Sequence, residues 1–275
     1  MFVVCNFSKE KRIKRGEIEM KREQAYVDNR RKQILEKLKR DSQVKVEELA
    51  NELDCSFITI RRDLQYLEDR KMLMRVYGGA IAIETEQSRE EEILYYRKLI
   101  AKYAARFVED RDTLFINTSI NALMMTKYID KNNVTVITNN GKAITSEHRS
   151  SVSIILTGGE LRYPKEAMVG DFAIRNLQTI FAKKAFIGCS GISATAGIST
   201  EIASEVKVNE LMIQNVTNGV YVLADYTKIG KISSFTSSSI DKITHLITDE
   251  KAPMEILEEL RSKGVQIHQV KKGDF

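Results

Sequence analysis

The segment CSFITIRRDLQYLEDR (Cys55 to Arg70) sets two adjacent arginines beside a serine and a threonine, with an apolar residue at every third or fourth position. Ile60, Leu64 and Leu67 fall at i, i+4 and i+7, within about 60° on a helical wheel turning 100° per residue. Burying that stripe leaves Arg62 and Gln65 on the opposite side, flanked by Thr59 and Arg61. Such an edge offers hydroxyl, guanidinium and amide groups to phosphate oxygens and base edges. The same arginines can instead pair with Asp63, Glu68 or Asp69 in a plain three-helix bundle. The neighbouring sequence has to separate the two.

Moving outward, Ser56 follows a short break and is a natural N-cap for this helix. Val46, Leu49, Ala50 and Leu53 form an apolar stripe before the break, and Ile34, Leu35 and Leu38 form another upstream. After the helix, MLMRVYGGAIAIE alternates weakly around a Gly-Gly turn, the pattern of a two-stranded wing. A tight turn between the second and third helices gives helix-turn-helix geometry, with the third helix entering the major groove of double-stranded DNA. Ser56 and Thr59 then suit phosphate contacts near the helix N-terminus. Arg61, Arg62 and Gln65 face the groove, and Arg75 in the wing reaches flanking phosphate or the minor groove.

Charge distribution supports this reading. Residues 1–40 hold 13 Lys/Arg against 6 Asp/Glu, an excess larger than the net +5 of the 275-residue chain, so the remainder is slightly acidic. That asymmetry points to a polyanion at the N-terminal part. Residues 1–25 read as a basic extension, and the run before Met20 as a translated ribosome-binding site with Met20 the start. With 43% apolar and 29% charged residues the chain is of the globular class. No apolar run approaches the roughly 18 residues of a membrane span, and no membrane partner is expected. Cys5, Cys55 and Cys189 lie far apart without metal-ligand spacing and read as reduced cytosolic thiols, so no metal or cofactor is expected.

The expected organisation is multi-domain. A winged helix-turn-helix occupies 26–80, a linker 81–95, and an α/β domain 96–275. In the last, short β-branched runs at 113–117, 134–138, 152–157, 185–189, 220–224 and 244–248 alternate with helical periods at 97–109, 121–130, 166–180, 201–217 and 253–263. That alternation predicts a mostly parallel sheet covered on both faces. Small polar residues follow several strands, where such a sheet places its ligand crevice. NTSIN (117–121) supplies Thr118, Ser119 and Asn121 before a helix, TNN (138–140) supplies Asn139, and TGGELR (157–162) supplies Gly158, Gly159 and Arg162. GCSGIS (188–193) contributes Ser190 and ADYTKIG (224–230) contributes Lys228. Arg162 and Lys228 are the cations expected beside an anionic ligand.

The run VKVEELANELDCSFITIRRDLQYLEDRKMLMRVYGGA (44–80) closely resembles the N-terminal domain of DeoR-type bacterial transcriptional regulators. TGGELR, VGDFA, KAFIGCSGIS and LADYTKIGK extend the resemblance through the second domain in the same order and spacing. It implies a repressor of a sugar or carbohydrate operon with a sensor domain related in fold to ribose-5-phosphate isomerase. Its effector would be a phosphorylated sugar or related metabolite, and its assembly a homodimer or homotetramer in the cytoplasm, on DNA when bound. Family members carry an Asp-Ser-Gly-Thr-Thr-like loop where this chain has Asn117–Asn121, and an Asp where Ser190 stands. An acid-base pair lacking its carboxylate is a poor catalyst, so no catalytic residues are expected. Three classes stay open at this point: a sensing repressor, a repressor with a ligand-free scaffold domain, and a sugar-phosphate isomerase-like enzyme.

Overall fold

The computed structural model describes residues 24–38, 40–83 and 86–275, and the chain divides into two compact units between Arg89 and Glu90. The extension expected over 1–25 lies outside the described residues except for its last two, which begin the first helix, and so does the start proposed at Met20.

The first unit runs α1 (24–38), β1 (Gln43–Lys45), α2 (Val46–Glu52), α3 (Phe57–Asp69), β2 (Leu73–Val76) and β3 (Gly79–Ala82). Ser56 caps α3 as expected, its hydroxyl accepting from the Thr59 N–H at 3.2 Å. Ile60, Leu64 and Leu67 are buried against Ile34 and Leu38 of α1 and Leu49 of α2. The wing has three strands rather than two, in the antiparallel order β1-β3-β2. β1 is three residues long with Val44 alone buried, too short to show an alternating pattern. Gly79 admits it: a Cβ there would lie 2.0 Å from the Val44 carbonyl oxygen, so the glycine pair serves strand packing as well as the turn.

α4 (Glu86–Ala104) spans the boundary, so the stretch 81–95 read as a linker holds the end of β3 and the first half of a helix. The second unit continues with β4 (Thr113–Ile116), α5 (Ile120–Met124), β5 (Val134–Thr138), β6 (Val152–Leu156), β7 (Glu160–Arg162), β8 (Ala167–Val169), α6 (Asp171–Gln178) and β9 (Ala182–Ile187). Then come β10 (Gly191–Ser193), β11 (Gly197–Thr200), α7 (Ala203–Gln214), β12 (Val216–Leu223), β13 (Phe235–Ser238), β14 (His245–Asp249), α8 (Met254–Ser262) and β15 (Gln266–Val270). Seven strands form one sheet in the order β15-β14-β12-β9-β4-β5-β6, and every pairing in it is parallel. Alternate residues feed separate apolar layers. Phe115, Ile187 and Val222 join α6, α7 and α8 on one face, while Leu114, Ile116 and Phe186 join α4 on the other.

Differences from the sequence pattern have local causes. β9 begins at Ala182, earlier than expected, because Lys184 is a buried strand residue whose ammonium donates to the Phe107 carbonyl at 2.7 Å and to Asp112 at 2.9 Å. β15, QIHQV, is an edge strand whose polar composition hid it. The helix expected over 166–180 is split, since residues 167–169 pair with β7 before α6 starts.

Candidate nucleic-acid interface and effector cavity

Asp63, 2% exposed on the inner side of α3, decides which charges the first unit presents. Its carboxylate accepts from Arg30 Nε at 2.6 Å and Arg31 Nε at 2.8 Å, both on α1. That bond holds the Arg30 guanidinium above its ordinary range. Arg31 and Arg70 pack against the Tyr66 ring, 3.4 and 3.6 Å from its centroid. With Asp63 engaged by α1, the bundle reading that paired it with the arginines of α3 does not hold. Asp69 accepts from Gln65 Nε2 at 2.8 Å, and Glu68 from the Arg75 backbone N–H at 2.9 Å. Arg61 and Arg62 are exposed and have no hydrogen bond or ion pair among the described residues.

The other candidates on this face are already engaged. Ser56 spends its hydroxyl on the cap, with the Thr59 hydroxyl 2.9 Å away. The Arg75 guanidinium donates to the Gln65 side-chain oxygen, tying the wing to α3. Gln65 and Arg75 therefore reach a duplex only as a linked pair, whereas Arg61 and Arg62 are free to turn toward it.

In the second unit the chain runs β4, β5, β6 to one side, then returns to lay β9 on the other side of β4 and continues outward through β12. The strand ends at such a reversal diverge and leave a crevice. A cavity of about 310 Å³ lies there, lined by residues following β4, β9 and β12. Asn117 joins the first two strand ends. Its amide donates to the Gly188 carbonyl at 2.9 Å and to Asn209 at 3.1 Å, and its oxygen accepts from the N–H groups of Gly188 at 3.0 Å and Ser119 at 3.2 Å. Glycine is required at 188, since a Cβ would meet Ser119 Oγ at 1.9 Å.

Two buried carboxylates form the polar floor. Glu205, 3% exposed near the start of α7, accepts from Thr200 Oγ1 at 3.0 Å and from Thr118 Oγ1 and Lys165 Nζ at 3.2 Å. Asp225, 1% exposed, accepts from Arg97 Nε at 2.9 Å and the Thr227 N–H at 3.1 Å. Lys142 and Lys228 also line the cavity, and their ammonium groups have no hydrogen bond or ion pair among the described residues. Asn121 is 6% exposed, lines the cavity, and its amide has no partner among them either. Cys189 sits beside these groups, but burial pushes its thiol up to about 12 against the pull of Lys228, so it is no nucleophile near neutrality. No cluster of three metal-ligating side chains occurs among the described residues.

Of the positions named from sequence, Thr118, Ser119, Asn121, Ser190 and Lys228 are brought together in this cavity; Asn139, Gly158, Gly159 and Arg162 are not. Asn139 is wholly buried after β5, donating to the Met168 carbonyl at 3.1 Å. Gly158 and Gly159 shape the turn into β7, and Arg162 is exposed beside Glu160 at 3.0 Å. β6 lies beyond β5 from β4, so its end misses the crevice, while the turn after β5 brings in Lys142 rather than the buried Asn139. The β7–β8 hairpin instead delivers Pro164 and Lys165. Arg97, Lys142 and Lys165 carried no signal of their own in the sequence, because each reaches the cavity from a different element, whereas Asp225 stands beside Lys228 in ADYTKIG and was passed over.

A winged helix-turn-helix with an unpaired arginine ridge, followed by a parallel α/β unit with a cation-rich crevice, defines a ligand-responsive transcriptional regulator. The chain belongs to the DeoR family: a family model described as the DeoR-like helix-turn-helix domain matches residues 30–86, and one described as the DeoR C-terminal sensor domain matches residues 95–250. An uncharacterized HTH-type transcriptional regulator, YulB of Bacillus subtilis (strain 168), is 31% identical over 257 residues, covering 90% of this chain and 99% of that protein. A putative aga operon transcriptional repressor of Escherichia coli O157:H7 is 27% identical, over 86% of this chain and 92% of its own. A lactose phosphotransferase system repressor of Staphylococcus aureus (strain NCTC 8325 / PS 47) is 28% identical, over 75% and 85%. Among solved structures, a D-ribose-5-phosphate isomerase aligns over 50% of this chain and 53% of its own at 14% identity, with a TM-score of 0.36, too low to define a shared fold. No described helix is long and apolar enough to cross a membrane.

Proposed function

We propose that this regulator represses a sugar or carbohydrate operon and that a phosphorylated sugar or related metabolite in the cavity changes its hold on the operator. The observation that carries the effector class is the pair of unpaired ammonium groups, Lys142 and Lys228, beside the unpartnered amide of Asn121. A phosphate carries about two negative charges and accepts from several donors at once. Glu205 and Asp225 are acceptors for sugar hydroxyls, which donate. Relatives named for the aga operon and for a lactose phosphotransferase system favour a carbohydrate source.

Binding rather than turnover is the role of this site. Each buried carboxylate is held by a cation near 3 Å, the nearby thiol stays protonated, Ser190 offers no carboxylate, and the other carboxylate of the lining, Glu201, is exposed. Neither buried carboxylate is therefore poised as a free general base. On DNA, two copies of the first unit present α3 to successive major grooves about one helical turn apart, so the working form is a homodimer or homotetramer. Phosphate contacts give steep salt dependence. The metabolite acts only through different affinities for the DNA-competent and incompetent arrangements.

The test is a thermal-shift screen of phosphorylated sugars against the full chain, with the hits added to a gel shift on operator DNA selected from a random duplex library. A ligand at 100 times its Kd stabilises the native state by about 2.7 kcal/mol, an easily read shift. Absence of any shift would leave a scaffold domain, and turnover of a sugar phosphate would restore the enzyme reading.

A further inference from the structure

The outer ridge of α3 carries a residue of the wrong chemistry for a phosphate contact. Ile58 is 64% exposed and belongs to no apolar cluster of the first unit. It precedes Arg62 and Gln65 by four and seven residues, so the three lie on one stripe. That stripe is opposite Ile60, Leu64 and Leu67, which are at most 2% exposed. Single exposed apolar residues are ordinary on protein surfaces. This one sits in the first turn of the helix, the part that meets base edges in helix-turn-helix proteins, between the Ser56 cap and the unpaired Arg62.

We infer that Ile58 reads a thymine C5-methyl group in the operator, from the same ridge that turns Arg62 toward the duplex. The inference rests on DNA binding through α3. In the major groove only thymine presents a methyl group, and apolar side chains read it by contact. Ile58 and Arg62 are separated by about 6 Å along the helix axis at 1.5 Å per residue, close to two base steps of 3.4 Å. The thymine therefore lies within about two base pairs of the base that Arg62 contacts. Gln65, bonded to Arg75 and Asp69, is less available for the role, and Phe57 is turned about 100° away toward the flank.

The experiment selects operator duplexes with the full-length protein, then replaces each thymine of the selected site by deoxyuridine, which removes the methyl group alone. Parent protein and Ile58→Ala are titrated on every duplex. At one thymine, loss of the methyl should weaken the parent about fourfold, the worth of one buried methyl, and leave the variant within twofold. Repeating the selection with Ile58→Ala should lose the thymine preference at that position and keep the rest of the site. A selected site at which no thymine-to-uracil change distinguishes parent from variant overturns the assignment to Ile58. Failure to enrich any sequence overturns DNA reading by α3 and the inference with it. Ile58 buries little, so the alanine variant keeps the fold, which its unchanged melting temperature verifies.

Discussion

Asp63→Ala removes the carboxylate that two α1 arginines share. Asp63 is 2% exposed and Arg30 9%, so the variant leaves at least one guanidinium buried without its counter-charge. Removing one partner of such a pair costs about 3–5 kcal/mol. A folded unit of roughly 60 residues has about 3–9 kcal/mol in total, so the loss takes much or all of its stability. The first unit should open in the full chain while the second, with its own core, stays closed. Hydrogen exchange followed by mass spectrometry resolves the two: amide protection in 57–69 should fall toward that of an unfolded segment, with protection across β4, β9 and β12 unchanged. Asp63→Asn retains an acceptor of the same shape and should fall between parent and alanine variant. A replacement of Arg30, Arg31 and Asp63 together by apolar residues should recover protection, since no charge is then left buried. Full protection of 57–69 in Asp63→Ala would refute the assignment of Asp63 to the α1–α3 contact. It would return Asp63 to the charges of the DNA-facing helix.

Arg62→Ala should weaken binding to the selected operator by about 1–3 kcal/mol without lowering the melting temperature; an unchanged gel shift removes Arg62 from the interface. Lys228→Ala should leave DNA binding intact and blunt the response to the phosphorylated hit, and equal thermal shifts in variant and parent would place Lys228 outside the ligand's reach. Burial raises the Asp249 carboxyl from 3.8 to about 6, so the native state keeps a proton that the unfolded chain has lost. Stability from this group is full below about 3.8 and is lost as the pH rises through about 6, by roughly 3 kcal/mol for a gap near two pH units. Asp249→Asn should flatten that loss in melts between pH 4 and 7. His245 and His268, lowered by burial, act in the opposite sense, losing stability as the pH falls from about 6.5, so the parent-minus-variant difference is the quantity to read.

The helix-turn-helix was legible in the sequence because its signals are local. A cap at Ser56, a stripe at i, i+4 and i+7 and a Gly-Gly wing all act within a few residues of themselves. Six strands of the parallel sheet were legible for the same reason, as short apolar runs bounded by turn formers. Strand β9 was partly masked by Lys184 and β15 by its polar edge, because a buried pair or an edge position permits residues that a central strand excludes. The cavity was half legible. Strand-following polar residues named Thr118, Ser119, Asn121, Ser190 and Lys228, but the same rule also named Asn139, Gly158, Gly159 and Arg162. Which strand ends face the crevice depends on spatial strand order, and only the return of the chain from β6 to β9 decides that. Pairing of charges was likewise beyond reach. Asp63 stands one residue from Arg62 in the chain, yet its partners are 32 and 33 residues away on α1. Periodicity determines which side of a helix turns inward, since that is a property of one segment. The buried carboxylate's choice of partner, and hence which arginines remain free for DNA, is settled by the packing of one helix on another.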